Sequence, residues 1–153
     1  MAGKKFRFSL SSVLQVRTHE TERAKKALAA AIARRVAQEK KVDDAMQALD
    51  TLHRDAARSD RPVTASTLRQ TDGLRLDAQR RLKTEQQRLK HCLREEQQAR
   101  RELVDRRSAE EALETLRDIE KHRFVQAENY ADNKLLEEQA LDAFRRKNAS
   151  DTP

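Results

Sequence analysis

Residues 59–64 read Ser-Asp-Arg-Pro-Val-Thr, and this stretch decides the fold because it contains the one proline inside the chain. Pro62 cannot continue a helix, and it biases the preceding Arg61 towards extended geometry. On both sides, long runs of Ala, Leu, Glu, Lys, Arg and Gln favour helix and contain almost nothing that would interrupt one. The sequence therefore predicts two long helices joined by a short loop.

The composition excludes most other fold classes. The chain has 153 residues with only 2 Gly and 2 Pro, whereas 39% of its residues are charged. Sandwiches, barrels and doubly wound sheets need tight turns, and tight turns need Gly and Pro. High charge with helical periodicity and few breakers indicates long helices or coiled coil.

Two long helices joined by a short loop usually fold back on each other, so we expect an all-α protein, an antiparallel coiled-coil hairpin in one domain. Ser12 with Gln15 and Thr67 with Gln70 have the spacing of a capping box. Gly73 is a candidate kink near the start of the second helix. The predicted segments are a flexible basic and aromatic tail at 1–8, helix 9–58, loop 59–63, helix 64–147 and a disordered tail at 148–153.

Small and apolar residues recur along both helices at heptad-like steps of three and four. In the first helix, Ile32 and Val36 depart from the stripe, which predicts a stutter in the heptads. The stripe of the second helix comprises Leu68, Leu74, Ala78, Leu82, Leu89, Leu93, Ala99, Leu103, Leu113, Leu116, Ala127, Tyr130, Leu141 and Phe144. Polar residues also fall near core positions, where they cost stability and often serve register or partner choice; these are Arg35, Gln38, Glu85 and Glu96.

The second helix is longer than the first, so about thirty of its residues would extend past their partner. Pairing from the loop outward places Ser9 near Leu113. All aromatic residues lie towards that end, namely Phe6, Phe8, Phe124, Tyr130 and Phe144. They either close the open end of the coiled coil or anchor a partner, and for Phe6 and Phe8 we favour anchoring.

The charge pattern bears on nucleic-acid binding. The net charge is +7, but residues 111–153 carry 7 basic and 10 acidic groups, and the two signs are interleaved. Interleaved charge is typical of a solvated helix face with i,i+4 pairs. A basic nucleic-acid-binding coiled coil stays an alternative, because phosphate contacts need only Lys and Arg.

Nothing in the sequence indicates catalysis. The four histidines lack zinc-ligand spacing, and Cys92 beside Leu89 and Leu93 is better explained as a buried structural thiol than as a nucleophile. We therefore expect no enzyme activity, cofactor, metal or small-molecule substrate. The single cysteine fits a reducing compartment, and no apolar stretch approaches the ~20 residues of a membrane span. The sequence thus predicts a cytoplasmic protein that meets a membrane only through a partner.

Motifs at the two ends resemble one family. The pattern Phe6-x-Phe8-x-Leu10-x-x-Val13-Leu14-x-x-Arg17, followed by a charged Ala-rich helix, resembles the start of the flagellar export protein FliJ. Residues 111–117, Glu-Ala-Leu-Glu-Thr-Leu-Arg, resemble its Leu-Glu-x-Leu segment. Glu138-Gln139-x-x-Asp142 resembles its closing Glu-Gln-x-x-Asp motif, although Ala143 stands where an acidic residue often follows.

The resemblance implies a non-enzymatic component of the flagellar type III export apparatus, serving flagellum assembly and thereby motility and chemotaxis. Proteins of this family bind the centre of the hexameric export ATPase as a coiled-coil stalk and promote its assembly and activity. They also contact the cytoplasmic domain of the membrane export gate and export chaperones, which implies a peripheral location at the inner face of the cell membrane. The equivalent stalk of a virulence-type injectisome is the alternative.

The resemblance and the aromatic end together give a set of candidate partner-binding residues. They are Phe6, Phe8, Leu10, Leu14, Arg17, Phe124, Tyr130, Glu138, Gln139 and Asp142.

Overall fold

The computed structural model describes residues 5–58 and 64–150, with side chains up to residue 147. Within these residues it contains two α-helices and no strand. Helix α1 is Ser11–Arg58 and helix α2 is Ala65–Ser150. The two helices pack against each other, so the predicted all-α helical hairpin is confirmed. The predicted loop at 59–63 lies outside the described residues, as do residues 1–4 and 151–153.

Both helices begin slightly later than the sequence predicts. The backbone N–H of Ser11 donates to the carbonyl oxygen of Phe8 at 3.3 Å, and the helix starts at Ser11 rather than at Ser9. Thr64 precedes α2, and its Oγ1 accepts a hydrogen bond from the backbone N–H of Thr67 at 3.3 Å. Thr64 is therefore the N-cap residue of α2, because its side chain satisfies one of the free N–H groups of the first turn.

Helix α2 is longer and more regular than expected. It continues past Lys147 to Ser150, because no Gly or Pro occurs before Pro153 to end it. Gly73 lies inside the continuous helix and has no positive φ. The helix is thus not interrupted at Gly73, and the segment before it belongs to α2.

The chain divides into two compact units, and each contains segments of both helices. The central unit is His19–Arg106. The terminal unit consists of the described residues of Met1–Thr18 and Arg107–Pro153.

In the central unit, the packed side of α1 follows heptad spacing without interruption. Buried and half-buried residues recur in steps of three and four: Thr21, Ala24, Leu28, Ala31, Arg35, Gln38, Val42, Ala45, Leu49 and Leu52. Ile32 is half-buried, but Val36 is 52% exposed, and the register passes through Arg35 and Gln38. The predicted stutter is therefore wrong. These polar residues keep core positions because each has a partner on α2.

The facing side of α2 has the same spacing in this unit. Its buried and half-buried positions include Ala78, Leu82, Glu85, Leu89, Cys92, Glu96, Ala99, Leu103 and Arg106. Leu68, Leu74 and Leu93 were predicted in the stripe, but all three are exposed. Leu93 is displaced from the seam by Cys92, because adjacent helical residues point about 100° apart and only one of them can face α1.

The helices of the central unit run antiparallel. As residue numbers increase along α1, the numbers of their partners on α2 decrease. Glu20 pairs with Arg106, Arg35 with Glu96, and Gln38 with Glu85. Its buried apolar side chains are small, namely Ala24, Ala31, Val42 and Ala45. The two helices therefore approach each other closely where alanines are buried, and polar pairs join them at other positions of the seam.

Candidate partner-binding surface

The terminal unit contains all ten candidate residues, and side-chain contacts join its N-terminal part to α2. The Oγ1 of Thr18 donates a hydrogen bond to Oε1 of Glu110 at 2.7 Å. The ring centroids of Phe6 and Phe124 are 5.8 Å apart with an interplanar angle of 53°, a tilted geometry that aromatic pairs favour. Two rings that are 118 residues apart in the sequence therefore meet, at the end of the hairpin where the sequence predicts the aromatic residues.

These contacts correct the predicted pairing of Ser9 with Leu113. The predicted pairing would place Thr18 opposite a residue near position 104, whereas Thr18 pairs with Glu110. The offset between the two helices is therefore already larger than expected in the helical part of α1. Ser9 lies between Thr18 and Phe6 in the chain, so it falls opposite a point on α2 between Glu110 and Phe124 and nearer to Phe124.

Six of the ten candidates form the packed part of this unit. Phe8 is buried, with only 9% of its surface exposed. Phe6, Leu10, Leu14, Arg17 and Phe124 are half-buried. On α2 they share the seam with Leu113, Arg117 and Glu120, whereas Leu116, which was predicted in the stripe, is exposed. The N-terminal rings thus contribute to closing this end of the hairpin seam.

The other four candidates lie on a part of α2 that no described residue covers. Every described side chain from 129 to 147 is exposed, including Glu138, Gln139 and Asp142, and Tyr130 is 73% exposed. Residues 129–147 are called the exposed segment below. It is shorter than the thirty residues expected, because the N-terminal residues reach Phe124.

The exposed segment has the character of an interaction surface. Its large apolar side chains are all more than half exposed, namely Tyr130, Leu135, Leu136, Leu141 and Phe144. Acidic and basic residues are equally numerous in it, and Asp142 lies 3.8 Å from Arg145 in an ion pair. An exposed group of apolar side chains rimmed by charges marks a site of protein contact.

Polar pairs inside the central unit are a second feature that the sequence indicated. Gln38 and Glu85 are both buried, and Nε2 of Gln38 donates to Oε2 of Glu85 at 2.5 Å and to its carbonyl oxygen at 3.1 Å. This hydrogen bond, assisted by the charges of Arg88 and Lys41 among others, holds the pKa of Glu85 below its ordinary value against the opposing effect of burial.

A second polar layer adjoins the first. Nε of Arg35 lies 2.5 Å from Oε2 of Glu96, and Nη1 of Arg35 lies 2.6 Å from Oε1 of Glu39. The hydrogen bonds to Glu39 and Glu96 raise the pKa of Arg35 above its ordinary value. Arg100 also pairs with Glu96, at 2.9 Å. Such layers fix the register and orientation of a coiled coil because a shift would leave charges unpaired.

Two further observations concern membranes and metals. Over residues 5–58 and 64–150, neither helix has a stretch apolar enough to cross a bilayer. The same part of the chain brings together no group of three His, Cys, Asp or Glu side chains that could hold a metal ion. Cys92 is a half-buried free thiol at a seam position.

Comparison with known protein families gives a match over most of the chain. The family model described as Flagellar FliJ protein matches residues 6–149, nearly the whole chain. No curated protein and no solved structure matches significantly.

Proposed function

The chain belongs to the flagellar FliJ family and is a component of flagellar type III protein export, and we propose that it acts there as a non-catalytic coiled-coil stalk. On this proposal the terminal unit binds the centre of the hexameric export ATPase and promotes assembly and activity of the ring. The observation that carries the proposal is the exposed segment, residues 129–147, in which every side chain is exposed among the residues that the structure describes.

A lone helix suits the lining of a ring pore. With its side chains it is about 10–12 Å wide, so it can enter an opening that a globular domain would block. Its equal numbers of acidic and basic residues favour weak contacts that can exchange as the ring changes state. The chain would bias assembly or ATP hydrolysis by binding one state of the ring better than another.

The candidate residues divide into two roles in this proposal. Tyr130, Glu138, Gln139 and Asp142 are exposed and would contact the ATPase directly. The packed residues would support the base from which the exposed segment extends; they are Phe6, Phe8, Leu10, Leu14, Arg17 and Phe124. Phe8 in particular would act by packing, because its ring is buried.

The central unit offers other surfaces for the export gate and chaperones. Leu93 and Val104 are exposed and eleven residues apart, which is three helical turns, so they lie on one side of α2. We propose that exposed apolar residues of this kind bind the cytoplasmic domain of the gate and the export chaperones. Association with the inner face of the membrane would then be peripheral and would depend on the gate.

The test is an ATPase assay with the purified flagellar export ATPase. Adding the chain should increase both hexamer formation and ATP hydrolysis. A Tyr130→Ala, Gln139→Ala variant should lose this stimulation, whereas Leu74→Ala, which also removes an exposed apolar side chain, should keep it. No stimulation by the unaltered chain would refute the stalk proposal, and equal loss in both variants would refute the assignment of the binding residues.

The injectisome alternative is tested in the same assay. The family match favours a flagellar partner, so an injectisome export ATPase should respond less than the flagellar one at equal protein concentration. A stronger response of the injectisome ATPase would reverse the assignment.

A further inference from the structure

Ala127 and the exposed segment that follows it carry a heptad stripe of their own. Ala127, Tyr130, Lys134, Glu137, Leu141 and Phe144 recur in alternating steps of three and four, and all six are exposed. The steps from Phe124 to Ala127 and from Ala127 to Tyr130 are both three, whereas a continuous seam alternates three with four. This stripe therefore lies on a different side of α2 from Phe124, where the N-terminal residues pack.

We propose that this stripe binds the same stripe of a second copy of the chain, with the two α2 helices antiparallel. In one register every layer is complementary. Ala127 of one copy then faces Phe144 of the other, Tyr130 faces Leu141, and Lys134 faces Glu137. The small alanine leaves room for the phenylalanine ring, and the two polar positions form oppositely charged pairs.

The charges favour this arrangement over a parallel one. Parallel pairing in register would place Lys134 against Lys134 and Glu137 against Glu137, and like charges at facing positions are destabilising. Antiparallel pairing turns both layers into attractive ones. Within the described part of the chain neither side chain forms an ion pair, so both charges are available to a partner. The contact is two-fold symmetric, which makes it self-limiting at two copies.

The proposed dimer is weak because the paired stretch is short. Six layers correspond to roughly two and a half heptads, and we expect a dissociation constant of about 10–100 µM or weaker for a coiled coil of this length. The fraction of dimer therefore depends on protein concentration. Pairing would cover Tyr130, so it would compete with docking of that residue elsewhere. The pairing itself does not depend on the proposed function, because it needs only the purified chain.

The experiment measures self-association of the full chain. Sedimentation equilibrium from about 5 to about 500 µM should show a reversible monomer–dimer equilibrium. Lys134→Glu or Glu137→Lys alone creates two like-charge layers and should weaken dimerisation roughly tenfold. Asp132→Lys makes the same charge change as Glu137→Lys on the other side of the helix and should leave the dissociation constant unchanged. Far-ultraviolet circular dichroism checks that each variant remains helical.

Charge exchange makes the test specific. A mixture of Lys134→Glu with Glu137→Lys restores opposite charges at both layers, so it should form a heterodimer with the affinity of the unaltered chain. The double variant should likewise recover self-association. A chain that stays monomeric over the whole concentration range would overturn the proposal, as would dimerisation that the single variants do not weaken or that mixing does not restore.

Discussion

Ala31→Leu should destabilise the central unit by about 1–3 kcal/mol, although leucine is a good helix former. Ala31 is only 2% exposed, and it lies in a seam whose buried apolar residues are mainly alanines. Leucine adds three carbons, which would contribute about 0.8 kcal/mol each if space existed to bury them. Because α2 already covers Ala31, the added carbons must separate the helices or adopt a strained rotamer, and the overpacking cost exceeds the burial gain.

The neighbouring Ala30 provides a matched control. It is one residue away and exposed, so Ala30→Leu makes the same chemical change without touching α2. Urea unfolding followed by circular dichroism should give a free energy of unfolding within about 0.5 kcal/mol of the unaltered chain for this control. The difference between the two variants isolates the cost of the seam from any change in helix propensity.

The reasoning fails if Ala31→Leu is as stable as the unaltered chain or more stable. It fails equally if both variants lose the same free energy. Either result would mean that the helices do not approach closely at Ala31.

Three further changes test other contacts. Thr64→Ala should cost about 1 kcal/mol of unfolding free energy in urea, because α2 loses its N-cap acceptor, whereas Thr64→Ser should cost little. The pKa of Glu85 is lower in the folded chain than in the unfolded one. The ionised Glu85 carboxylate therefore adds to the free energy of unfolding above the unfolded pKa, and this stabilisation is lost as pH falls through the folded pKa. Melting temperatures measured from about pH 6 to about pH 3 should therefore fall more steeply for the unaltered chain than for Glu85→Gln; parallel curves would contradict this. Phe8→Ala should destabilise the terminal unit by about 2–3 kcal/mol and speed hydrogen exchange across that unit more than Phe6→Ala does, since Phe8 is the more buried ring; equal effects would contradict the burial.

The fold could be predicted because its determinants are local. Pro62 and the shortage of Gly and Pro define two helices without reference to packing. The polar residues near core positions were also visible in the sequence, since heptad spacing places Arg35 and Gln38 there whatever their chemistry.

The register of the seam could not be predicted from one helix at a time. Apolar character suggested a shift at Ile32 and Val36, but Arg35 and Gln38 keep the seam because Glu96 and Glu85 satisfy them from the other helix. Cys92 and Leu93 are adjacent and both apolar, so local sequence does not show which of them faces α1. The three-and-four spacing of the whole seam places Cys92 there. The candidate residues were divided for the same reason: whether Phe8 or Tyr130 is covered depends on how far the N-terminal segment reaches along α2.

The unbroken steps of three and four restrict how the helices can change in length. Loss of one residue between Arg35 and Val42 would rotate everything beyond it by about 100° and turn the seam to solvent. Loss of seven residues keeps the facing side, but it slides the helices by about 10 Å past each other, so Arg35 and Glu96 would no longer meet. An equal loss on α2 restores the pairs. Insertions and deletions in the paired part of such a hairpin should therefore come as whole heptads on both helices, and relatives should differ there by multiples of about fourteen residues.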